Sequence, residues 1–74
     1  MPAARLASLK ARLGTEQAVR RLARASLALD VLGIDRKEGF RLAIRGAERL
    51  ADEPTLTTEA LAEELRGAAQ EGER

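Results

Sequence analysis

Residues 15–34, TEQAVRRLARASLALDVLGI, change character half-way along, and that change limits what the chain can fold into. The first half carries Arg20, Arg21 and Arg24, whereas residues 25–34 are apolar all round with Asp30 as the one charge. A helix with one dry stripe lies on a surface, but one that is apolar on every side has to be enclosed by other chain. At ~100° per residue, Ala18, Leu22, Ala25, Leu29 and Leu32 share one face, while Leu27 and Val31 point roughly the opposite way. The stretch therefore reads as a central helix, wrapped by the remaining segments and by a second copy of the chain.

Length sharpens that reading. At 74 residues the chain is near the size at which a single core becomes marginal. Small domains make up the shortfall with disulfides, a metal or a partner subunit. The chain has no Cys, which removes disulfides, and no His, which makes a structural zinc improbable. Oligomerisation is the remedy left. No apolar run approaches the ~18 residues of a membrane span, so no membrane partner is expected and the protein reads as cytoplasmic.

Glycine, proline and capping residues divide the rest. Leu6, Leu9 and Leu13 make a narrow stripe on a first helix over residues 2–13, which Gly14 stops. Thr15 is a natural cap for the central helix, and Gly33 ends it. Asp35, with Glu38 three residues on, predicts the start of a third helix in a capping-box arrangement. That helix is expected to bury Phe40, Ala43, Ile44, Ala47, Leu50 and Ala51, and Pro54 ends it. A last helix begins near Thr57, with Leu56 and Leu61 as a hydrophobic staple and an apolar face of Leu61, Leu65 and Ala68.

The expected fold is all-α: a small bundle of about four helices, with antiparallel neighbours joined by short turns and completed by dimerisation. Residues 1–68 form its single domain, and residues 69–74 are expected to be a disordered tail.

Chemistry is scarce. Without His, Cys, Tyr or Trp, a serine nucleophile would need a carboxylate or lysine as its base. Ser26 and Asp30 are four apart, but they read as a small residue at a helix contact and a paired acid. No catalytic residue, metal or cofactor is expected, and the chain does not read as an enzyme. Asp30 lies where the helix macrodipole disfavours an anion, which suggests a buried ion pair with Arg41 or Arg45.

The net charge of +1 hides a gradient. Residues 1–29 hold six cations against Glu16 alone, and residues 52–74 hold seven acids against Arg66 and Arg74. Lys37, Arg41, Arg45 and Arg49 recur every four residues on the third helix, and Arg20 and Arg24 make a shorter row on the central one. Such rows can track a phosphate backbone. They can equally be neutralised by the acidic row of Glu59, Glu63 and Glu71, within or between bundles.

The function expected from these residues is a small non-enzymatic helical protein–protein interaction or regulatory module acting as a homo-oligomer, most simply a homodimer. Its interface would involve Leu27, Val31, Ile34 and Phe40. The alternative is a basic-faced nucleic-acid-binding regulator using Lys37, Arg41, Arg45 and Arg49, with Arg20 and Arg24.

Overall fold

Glycine and proline punctuate the chain much as the sequence predicts. A computed structural model describes residues 2–72, and all the regular structure among them is helical: α1 (Pro2–Leu13), α2 (Thr15–Leu32), α3 (Phe40–Asp52) and α4 (Thr58–Gln70). Gly14 joins α1 to α2 at φ 83°, a conformation that only glycine adopts without strain. Gly14, rather than Thr15, is the residue that precedes the first turn of α2.

Gly33 closes α2 in the left-handed conformation, φ 71° and ψ 25°. The Ile34 amide donates to the Leu29 carbonyl at 3.0 Å and the Gly33 amide to the Asp30 carbonyl at 3.1 Å. This is a Schellman motif, in which the residue beyond the glycine packs against the last inward side chain of the helix. Thr57 caps α4 by accepting from the Ala60 amide at 3.1 Å, with Leu56 half-buried ahead of the buried Leu61.

The third helix starts later than its capping pattern suggests. Asp35 does accept from the amides of Lys37 and Glu38, at 3.0 and 3.2 Å. What it caps is a single turn, closed by the Gly39 amide donating to the Asp35 carbonyl at 2.8 Å. Gly39 then holds φ −94° and ψ 22°, outside helical geometry, and α3 begins at Phe40. The turn is held by packing: a Cβ on Gly39 would lie 2.8 Å from Ile34 Cγ2 and 3.1 Å from Leu29 Cδ1.

At the other end the chain stays helical two residues past the expected limit of the domain. Ala68 is buried and Ala69 packs against the core, so the helix continues to Gln70 and turns at Gly72. The part of the expected tail at Glu73 and Arg74 lies outside the described residues.

The core is built on leucines from all four helices, with Leu9, Leu29, Leu42, Leu50, Leu61 and Leu65 fully buried. α2 and α3 run in opposite senses, because Ala25 meets Gly46 while Leu29 meets Gly39. A Cβ on Gly46 would stand 2.9 Å from Ala25 Cβ, so the two helices touch nearly backbone to backbone. Phe40 is a correction to the expected core: it is 42% exposed, and Leu42 is the buried residue at this end of α3. The reason is position along the helix rather than rotation. α3 buries Leu42, Ala43, Ile44, Gly46, Ala47 and Leu50, and Phe40 shares a side with Ile44 and Ala47 but is the first residue of the helix, at the end of that buried stretch.

Candidate interaction surface

α2 has two apolar sides. Its inner side, Ala18, Ala25, Ala28 and Leu29, is completely buried. Its outer side carries Val19 at 52% exposure, Leu27 at 51% and Val31 at 57%, with exposed Ala23 between the first two. These four recur every four residues and form one ridge. Of the expected interface residues, the structure places Leu27 and Val31 on that ridge and leaves Phe40 exposed at the start of α3. Ile34 does not belong with them. It is half-buried, packed on the core and against Gly39, as its place in the Schellman motif requires. Val19 is a ridge member that the charge-rich first half of the segment obscured. The signal that could have found it is its spacing, eight residues before Leu27.

Asp30 sits beside the ridge, and its expected burial and partner both need correction. It is exposed and accepts from Arg36 Nη2 at 2.9 Å, not from Arg41 or Arg45. The left-handed Gly33 turns the chain back, so Arg36 reaches the end of α2 from the following turn. The hydrogen bond with Asp30 raises the Arg36 pKa above its ordinary value, and the bond with Glu64 does the same for Arg49. Both guanidiniums therefore stay charged.

The cationic rows are broken up by the fold. Lys37 lies in the turn ahead of α3, not on the helix. Arg41 and Arg45 are exposed on α3, but Arg49 is held by Glu64 at 2.6 Å and by Glu53 at 3.5 Å. Arg20 pairs with Glu16 one turn back at 2.7 Å. Arg24 donates to two main-chain carbonyls of the α3–α4 connection, Pro54 at 3.0 Å and Leu56 at 2.7 Å. The neutralising acids also differ from the expected row: Glu64 takes Arg49, Glu63 pairs with Arg66 on its own helix, and Glu48 takes Arg5 at 2.7 Å. A groove of about 470 Å³ between α3 and α4 is lined by both signs of charge, among them Arg45, Arg49, Asp52 and Glu71. Ser26 donates to the Leu22 carbonyl one turn back at 2.9 Å.

Comparison with protein-family models, curated proteins and solved structures returns no match. Among the described residues no helix is long and apolar enough to cross a membrane, and no group of His, Cys, Asp or Glu is placed to hold a metal ion.

Proposed function

We propose that the protein is a non-enzymatic helical interaction module that works as a homo-oligomer through the outer face of α2. One observation carries the reading: Val19, Leu27 and Val31 are each more than half exposed on a helix whose other side is already fully buried. Covering apolar surface stabilises by ~25 cal/mol per Å², so a partner on this face gains affinity without disturbing the core. The cations support this reading over nucleic-acid binding. A phosphate-tracking row needs its charges available together, whereas Arg20, Arg24 and Arg49 are each engaged by groups of the same chain.

Light scattering across a dilution series tests the proposal. The mass is expected to fall towards that of one chain on dilution, and Leu27→Glu to give the single-chain mass throughout with an unchanged helical spectrum. A wild-type chain that is monomeric up to hundreds of micromolar would overturn it. A gel shift at low salt that depends on Lys37 and Arg41 would move the reading to nucleic acid.

A further inference from the structure

The apolar interior divides into two clusters, and the helices divide with it. The larger joins α2, α3 and α4 through Leu29, Leu42, Leu50, Leu61 and Leu65, and no described residue of α1 belongs to it. α1 enters the smaller one, where Leu9 packs with Ala18 and Ala47, and Leu13, Leu22 and Ala51 lie around them. Among the described side chains of α1, Leu9 alone is fully buried, while Leu6 and Leu13 are half-buried. The polar ties follow the same division. Arg24 fastens α2 to the α3–α4 connection, and Arg49 reaches Glu64 on α4. α1 is tied to α3 by Arg5, which donates to both carboxylate oxygens of Glu48 at 2.7 and 3.4 Å, and by Arg12, 3.4 Å from Asp52. Residues 2–13 carry Arg5, Lys10 and Arg12 and no acid, so α1 is the cationic side of this attraction.

The joint between the two parts is one residue. The Gly14 amide donates to the Lys10 carbonyl at 2.8 Å and the Gly14 carbonyl accepts from the Ala18 amide at 3.0 Å, so the ladders of both helices run up to it. Turning φ and ψ of Gly14 swings α1 without breaking either bond, and glycine has the most freedom to turn. A Cβ there would meet nothing within 4 Å, so no packing locks the joint. We infer that α1 is a strap, loosened by salt, that opens as a unit about Gly14 and bares the apolar strip of Ala18, Leu22, Ala47 and Ala51 while α2, α3 and α4 stay folded. Partly exposed ion pairs hold weakly and are screened by salt, and a segment with few buried contacts opens at lower free energy than the core. None of the residues uncovered lies on the outer ridge of α2, so this inference and the interaction-module reading stand or fall separately.

Native-state hydrogen exchange of the dilute full chain tests this, because a 12-residue helix released from its groove is marginal in water and exchanges its amides. The amides of Leu9, Lys10 and Leu13 are expected to share one protection factor, at least about tenfold below those of Leu29, Leu50 and Leu65. They are also expected to respond weakly to low urea, since the opening exposes little surface. Leu61→Ala weakens the three-helix unit whether the strap is open or shut. It is therefore expected to speed the core amides at least about tenfold and to leave the α1 amides within about twofold of wild type. Raising salt from about 0.05 to about 0.5 M is expected to speed the α1 amides about threefold, and to lose that effect in a Glu48→Gln, Asp52→Asn chain. The urea series uses the unmodified chain, so it decides the matter even where Leu61→Ala does not fold. Protection graded from the N-terminus would mean fraying, and α1 amides that follow the core through urea would mean one cooperative unit; either result overturns the strap. Rates that salt leaves unmoved would overturn its loosening by salt.

Discussion

The inward side of α2 presents three alanines and Leu29 at zero exposure, whereas its outward side presents a leucine and two valines that are more than half exposed. Hydrophobicity alone would sort them the other way. Size explains the order. Ala25 lies against Gly46, and the contact is short enough that neither position has room for a larger side chain. Close approach brings Leu42, Leu50, Leu61 and Leu65 around Ala25, Ala28 and Leu29 in one cluster. The larger residues of α2 are left outside because the inner side is already filled by its neighbours' leucines.

Leu29 and Leu27, two residues apart on opposite sides, give the widest test of this contrast. Leu29→Ala is expected to lose about 2–5 kcal/mol in urea unfolding, since its side chain is fully enclosed. Gly46→Ala comes next. It gains about 1 kcal/mol of helix propensity, yet its Cβ would stand 2.9 Å from Ala25 Cβ and 3.2 Å from Leu65 Cδ1. The Ala25 methyl cannot rotate away, so a net loss of about 1–3 kcal/mol is expected, partly restored by adding Ala25→Gly. A stabilised Gly46→Ala chain would show that the contact is looser than it looks.

Arg24, at the border between the two sides, should matter less. Arg24→Ala removes two charge-assisted hydrogen bonds to partly exposed carbonyls and is expected to lose about 1–2 kcal/mol in the same assay. Smallest of all, Leu27→Ala in dilute solution should stay within about 0.5 kcal/mol of wild type. Equal losses for Leu27→Ala and Leu29→Ala would dissolve the contrast.

How far the sequence revealed these features depended on their range. The ends of α1 and α2, the cap at Thr57 and the inward stripes of α1 and α4 follow from neighbours within a few residues, and they lie where periodicity and glycine put them. The start of α3 did not, because Asp35 caps a turn as readily as a helix and only the packing of Gly39 on Ile34 decides between them. The last turns of α4 were hidden similarly: Ala69 is ordered by core contacts that its local sequence does not advertise. Charge pairing was the least readable. Arg5–Glu48 and Arg12–Asp52 link α1 to α3 across some forty residues, and Arg49–Glu64 links α3 to α4. Spacing within one helix identifies a row of cations but carries no information about what that row faces. Leu27 and Val31 were visible for the opposite reason, since a helix wheel alone sets them against the buried side.

The two hydrogen bonds from Arg24 reach thirty residues along the chain and fasten the connector ahead of α4 to the side of α2. Swapped oligomers arise when such a connector opens and one subunit's terminal helix crosses to another. Here that exchange would first have to release the guanidinium and then withdraw Leu61 and Leu65 from the interior. Copies of this protein that meet are thus expected to keep their own fourth helix and to part again as complete folded units.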